Sequence, residues 1–297
     1  MCCFLFSVIG FYFSSNKSSL IDNEYPNTFI DKKGISIVEK NLKESSSFKI
    51  KDSIVLVYDD SLIKKNPIID KISSKTKEKY IYDQDVNIIH HKYYDFLYSE
   101  EHEQPFWVKY ISTKQHIQNK KYKRKNNFRE DPMVQTQSAT LIDYVKGGYD
   151  RGHLCPAGDM SFSMEAMSES FYMSNMSPQS PSFNRGKWKS LEEKARKWSV
   201  KYDSAIIYCG GVLSNISKSI GPNKVSVPNY YYKVIYCPTI NNAVGFIMPN
   251  KKCEKSLSSY MVSIDSVESL TKIDFYNQYF PEVQKSFESN FTVKYWF

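Results

Sequence analysis

The feature that most constrains this chain is the order in which its apolar periodicities change. A helical stripe of Trp188, Leu191, Ala195 and Trp198 marks a long helix from Asn184, and three strand-like runs follow it, at 205–209, 225–237 and 243–248. Two aromatic and β-branched runs, at 93–98 and 105–112 (PFWVKYIS), precede it as strands. Strands flanking a central helical section, without β-α alternation, favour an α+β fold over a doubly wound parallel sheet. Gly210-Gly211 and Gly221-Pro222-Asn223 are expected as the turns between the later strands.

Composition enters through what it excludes. A chain of 297 residues, 41% hydrophobic and 24% charged, is ordinary globular material for one large domain or two small ones, and is neither collagen nor a disulfide scaffold. Its 40 Lys+Arg against 32 Asp+Glu leave a charge of +8, which fits a polyanionic partner without requiring one. The Arg residues are Arg124, Arg129, Arg151, Arg185 and Arg196, all in one quarter of the chain, either by chance or for bidentate recognition of phosphate. The six cysteines form no CxxC pair and no zinc-like spacing with histidine. Cys155, Cys209, Cys237 and Cys253 lie in apolar or strand-like contexts that suit buried thiols, and the redox compartment stays open.

Residues 2–13, CCFLFSVIGFYF, form an apolar run too short for a comfortable membrane span and about the length of a signal-peptide core. No Lys or Arg precedes Lys17 and no small-x-small cleavage pattern follows, so a signal peptide, a short anchor and a misplaced start codon all remain open. The expectation is secretion or a membrane tether through 2–13, with mitochondrial and cytoplasmic locations not excluded. The expected organisation is a hydrophobic segment at 1–20, a poorly defined lead-in at 21–89 holding one strand-like run at 53–58 (SIVLVY), and a domain at 90–297. The oligomeric state is not set by the sequence.

Within that domain, 120–127 (KKYKRKNN) is a polar loop, either solvated or facing phosphate. Residues 140–145 read as a strand. Met164, Met167 and Phe171 recur at helical spacing as a core stripe, and 174–185 reads as a loop from its Pro, Ser and Asn content.

The chemistry concentrates at Asp150-Arg151-Gly152-His153 and at the helix that follows. His153 is an imidazole able to take a proton near neutral pH, Asn184 carries an amide oxygen able to ligate a hard cation, and Glu192 and Arg196 sit together at i, i+4. Taken singly, Asn184 could be only a helix N-cap and Glu192–Arg196 only a surface ion pair. Taken together, they offer a base, a metal and an anion clamp.

At these residues the sequence resembles the DNA/RNA non-specific endonucleases of the ββα-metal class. The resemblance rests on the DRGH signature, on 174–179 (SNMSPQ), on Asn184-Arg185-Gly186-Lys187-Trp188, and on Leu191-Glu192 with Arg196 one turn later. Phe128-Arg129-Glu130-Asp131-Pro132 and the GGVL run at 210–213 also look like family elements, and the likeness covers roughly 90 to 275. It implies a ββα-metal nuclease fold, a central antiparallel sheet with a long metal-site helix. It implies cleavage of DNA and RNA to 5′-phosphate and 3′-hydroxyl ends, with Mg2+ as cofactor and Mn2+ as the alternative. His153 would be the general base, Asn184 the direct protein ligand to the metal, and Glu192 a partner of a metal-bound water. Arg151 and Arg196 would bind phosphate, Asn175 would support the site, and Asp150 would order the DRGH turn. An ordinary imidazole pKa of about 6.5 would make activity fall below that pH. The competing readings are a catalytically silent nucleic-acid-binding or toxin-like module of the same fold, and a phosphodiesterase with a closed pocket for small nucleotides or lipids.

Overall fold

The computed structural model describes residues 88–276, 281–288 and 291–297. The segment at 2–13, the lead-in with its run at 53–58, and Cys2 and Cys3 lie outside the described residues. In chain order the strands are β1 (Ile88–His90), β2 (Tyr94–Ser99), β3 (Gln104–Thr113), β4 (Asp150–His153), β5 (Met176–Gln179), β6 (Ser204–Gly211), β7 (Ser219–Ile220), β8 (Val225–Ser226), β9 (Tyr230–Cys237), β10 (Asn242–Pro249) and β11 (Met261–Val262). The helices are α1 (Lys114–Gln118), α2 (Met164–Glu169), α3 (Lys189–Lys201), α4 (Ile264–Thr271), α5 (Pro281–Glu288) and α6 (Val293–Trp296).

A seven-stranded antiparallel sheet runs β1-β2-β3-β6-β9-β10-β11, so the fold is α+β as expected. Strand alternation gives the sheet two apolar faces. From β9, Tyr231, Ile235 and Cys237 join one core with Trp188, Leu191, Ala195 and Trp198 of the α3 region. Tyr232, Val234 and Tyr236 face the other way, onto Ile264 and Val267 of α4 and Phe287 of α5. The predicted helical stripe is buried throughout, Trp198 being the most exposed of the four at 3%. Trp198 also donates its indole N–H to the carbonyl of Trp296, which ties α3 to the C-terminus.

Four local expectations change. The supposed strand at 140–145 is a 3-10 turn, Ile142–Tyr144. There the Asp143 carboxylate accepts from Thr140 N (2.7 Å) and from Asn223 N (2.9 Å), and these bonds outweigh the β-branched propensity of the run. The supposed loop at 174–185 contains β5, which pairs with β4 as a two-stranded ribbon. Pro178 is tolerated because each strand of a ribbon has an outer edge with no ladder to complete. Gly210 and Gly211 end β6 rather than make a turn, and a Cβ at either would overlap the Phe106 carbonyl or the Pro228 ring. In the predicted methionine stripe Met167 and Phe171 are buried, but Met164 is 56% exposed. The cysteine reading holds for Cys155, Cys209, Cys237 and Cys253, which are buried and free.

Candidate active site

The ribbon β4–β5 carries the DRGH residues away from the main sheet, with His153 opposite Met176 and Asp150 opposite Gln179. Only glycine fits at 152, because a Cβ there would overlap the Gln179 side chain. Period-2 alternation places Arg151 and His153 on one face of β4, and Asp150 on the other with Gly152. On the first face, Phe128 and Phe171 wall the imidazole at ring-centroid distances of 5.7 and 4.9 Å. The Arg151 guanidinium lies over Phe128 at 4.3 Å, and Arg124 lies over Phe171 at 4.9 Å.

His153 is 8% exposed, and its Nε2 has no hydrogen-bond partner. Burial, reinforced by the charges of Arg124 and Arg151, lowers its pKa to about 3. The imidazole is therefore neutral across the physiological range, and the sequence expectation of an ordinary value near 6.5 is corrected. The segment after it is locked by Asn175, which is fully buried. Its Oδ1 accepts from Cys155 N (2.8 Å), and its Nδ2 donates to the carbonyls of Cys155 (2.9 Å) and Ser170 (2.8 Å). Asn175 thus positions the site from below and cannot touch a substrate.

Asn184 sits in a wide turn, Phe183–Trp188, that leads into α3, so the regular helix starts later than predicted. It is not an N-cap. Its Nδ2 donates to Asp150 Oδ2 at 2.9 Å, which fixes the amide orientation and leaves Oδ1 as a free acceptor. Arg185 grips the same carboxylate, Nε at 2.8 Å and Nη2 at 2.6 Å. Burial raises the Asp150 pKa, but the hydrogen bonds from Arg185 and Asn184 outweigh it and hold the group below the usual carboxylate range. Asp150 therefore does more than order a turn, since it aims Asn184.

One turn into α3, Glu192 is half-buried, and burial pushes it up to about 7 against the pull of Lys233, with Asp159 adding to the rise. Arg196 does not close a simple helix-surface pair with Glu192. Its Nη1 donates to buried Asp159 Oδ1 at 2.6 Å, while Glu192 acts on it only through its charge. The amide oxygen of Asn184 and the carboxylate of Glu192 are hard oxygen donors on adjoining turns, a set that fits Mg2+ better than a soft metal.

Two residues near this site were missed. Arg124 entered the sequence reading as one of five clustered arginines, in a loop either solvated or facing phosphate, and was given no place beside His153, yet its charge reaches both His153 and Glu192. The signal was there, as one Arg of five in a Lys-rich chain. The loop is held in place by Asp131, which accepts from His91 Nε2 (2.8 Å) and from Ser174 Oγ, and by Arg129, stacked 3.9 Å over Tyr172. Lys233 is fully buried, with Nζ 4.7 Å from the Trp188 ring and 5.7 Å from Tyr110. A lysine at an inward position of an apolar strand, YYYKVIYC, was the available sign.

With this geometry in hand, comparison with known proteins gives a consistent answer. A family model described as DNA/RNA non-specific endonuclease matches residues 73–281, which is more than half of the chain. The chain belongs to the DNA/RNA non-specific endonuclease family. It is 32% identical over 214 residues to the mitochondrial nuclease of Saccharomyces cerevisiae (64% of this chain, 65% of that protein). It is 35% identical over 169 residues to nuclease C1 of Cunninghamella echinulata var. echinulata (52% and 67%). Against human mitochondrial endonuclease G the figure is 30% over 169 residues (52% and 57%). The aligned region thus spans about two thirds or less of each relative. A chain in the crystal structure of an EndoG/EndoGI complex superposes with a TM-score of 0.62 at 28% identity, covering 68% of this chain and 89% of that one. The ββα-metal fold expected from the DRGH resemblance is therefore the observed one. Among the described residues no helix is long and apolar enough to cross a membrane.

Proposed function

We propose that this chain is a metal-dependent endonuclease that hydrolyses phosphodiester bonds in DNA and RNA, with His153 as general base. The observation that carries the reading is the unpartnered Nε2 of a buried, neutral imidazole flanked by two guanidinium groups. A neutral imidazole can accept the proton of an attacking water, and an unsatisfied nitrogen in a walled pocket is a group waiting for a donor. Arg151 and Arg124, exposed beside it, bind the phosphate on either side of the scissile bond. Such contacts go to the backbone, which makes cleavage indifferent to base and sugar. Arg196, held by Asp159, adds positive charge from α3.

Asn184 Oδ1 would hold Mg2+, with Mn2+ as the alternative. Asp150 would keep that oxygen forward, and Glu192 would accept hydrogen bonds from water around the ion. When bound, the cation would relieve charge on the phosphoryl oxygens and the leaving oxygen. The names of several relatives favour a mitochondrial location over export, which imaging of a tagged full-length chain would test.

The deciding experiment incubates purified chain with plasmid DNA and with RNA in Mg2+, in Mn2+ and in EDTA. Both polymers should be cut with either ion and neither in EDTA. Retention of plasmid without cutting in both ions would replace the enzyme reading with that of a binding module.

A further inference from the structure

On the face of the sheet opposite His153, three carboxylates converge between α4 and α5. Asp265 and Glu268 lie three residues apart on α4, and Glu288 ends α5. One oxygen from each lies within 4.8 Å of the other two. Glu268 and Glu288 are 7% and 8% exposed, whereas Asp265 is exposed and opens the cluster to solvent. Glu268 Oε1 accepts from the Phe275 amide at 2.8 Å, but Glu288 Oε1 is buried with no hydrogen-bond partner.

We propose that Asp265, Glu268 and Glu288 form a second divalent-cation site, selective for Ca2+, that clamps α4 to α5 over the distal apolar core. Among the described residues, the charged groups acting on Glu268 and Glu288 are acids: Asp265, Asp274 and, on Glu288, Glu268 itself. Burial and these neighbours push Glu268 up to about 8 and Glu288 up to about 9, as expected where carboxylates converge away from water. Burying carboxylates in this way is unfavourable unless they are protonated or coordinate a metal. An all-oxygen set selects a hard cation. Ca2+ takes about six to eight oxygens in flexible geometry, so it can share three gathered carboxylate oxygens with waters that complete its shell. Mg2+ also keeps most of its water and is poorly served by three protein carboxylates. The site lies on Phe275, Tyr276 and Phe287 of the second core, so an ion there would bind the folded state and stabilise it by mass action.

The test is thermal unfolding of the full chain against CaCl2 and against MgCl2, with calorimetric titration of CaCl2. The parent should gain melting temperature with Ca2+ at concentrations where Mg2+ gives less. Glu288→Gln should lose the Ca2+ gain, and Asp265→Asn, at an exposed position that leaves folding intact, should weaken Ca2+ binding by about tenfold or more. Asn184→Ala, which alters only the nuclease site, should keep the gain. An equal Ca2+ response in parent and Asp265→Asn would overturn the proposal, and so would its loss in Asn184→Ala.

Discussion

The neutrality of His153 has a measurable thermodynamic consequence. An imidazole at about 6.5 in the unfolded chain and about 3 in the folded one binds more protons unfolded than folded at every pH between those values. Its contribution to stability is therefore present above pH 6.5 and is lost progressively as pH falls toward 3. Between pH 7 and pH 5 an unfolded imidazole gains about three quarters of a proton while His153 gains almost none, and the difference in bound protons integrates to about 2 kcal/mol. The perturbation is His153→Gln, which removes the titration and leaves every other ionisable group in place. Urea unfolding of both proteins at pH 7 and pH 5, without added metal, gives two pH-dependent losses. The parent should lose about 2 kcal/mol more than the variant. Other acids, including Glu192, Glu268 and Glu288, contribute equally to both and cancel in the difference. Histidine-ring NMR should agree, one imidazole remaining neutral at pH 5. Equal losses in the two proteins would mean that His153 titrates ordinarily, and the argument for a base held neutral by burial and two guanidinium groups would be wrong.

Other expectations follow from the same geometry. His153→Ala should lower turnover by about 10²–10⁴-fold while nucleic-acid affinity, read by a filter or anisotropy assay, changes little, because a proton acceptor acts in the transition state. Asn184→Ala should raise the Mg2+ concentration needed for half-maximal cleavage. Asp150→Ala should move it the same way, by about 10- to 100-fold, since the amide of Asn184 loses the acceptor that aims it. Unchanged metal dependence in Asp150→Ala would show that the hydrogen bond does no aiming. Arg124→Gln should weaken binding of all sequences alike and reduce the slope of log affinity against log salt by about one, as removal of a single phosphate contact does.

Much of the site could be read from the sequence because its parts are short and chemically distinctive. DRGH, Asn184 and Glu192 were singled out by the resemblance to the nuclease family, while the stripe from Trp188 to Trp198 needed only helical periodicity. What escaped depends on contacts distant along the chain. β5 looked like a loop until its pairing with β4, more than twenty residues earlier, supplied the ladder. The turn at 142–144 is set by Asn223, 80 residues away from Asp143. Asp150 was given a local role because its partners, Asn184 and Arg185, lie 34 and 35 residues on. The pKa of His153 could not have been read at all, since it depends on Phe128, Phe171 and Arg124 closing around the ring.

The cations of this site divide their work by depth. Arg124 and Arg151 are exposed and sit over aromatic rings, so they can meet phosphate, and the same charges lower the pKa of His153. A field that would draw a polyanion in is thus also the field that keeps the imidazole unprotonated, and neither effect requires a residue of its own. Lys233 is different. It is fully buried between Trp188 and Tyr110 and cannot reach a substrate. Its charge acts on Glu192 and Asp159, opposing the burial that would otherwise protonate both. Arg196 shares that task through its contact with Asp159. The exposed Arg124 and Arg151 therefore set the protonation of His153, and the buried Lys233 with the half-buried Arg196 supports the charge of the carboxylate beside the proposed metal position. A neutral imidazole and a charged carboxylate can then coexist above about pH 7, because Lys233 and Arg196 act on Glu192 and not on His153, while Arg124 acts on both.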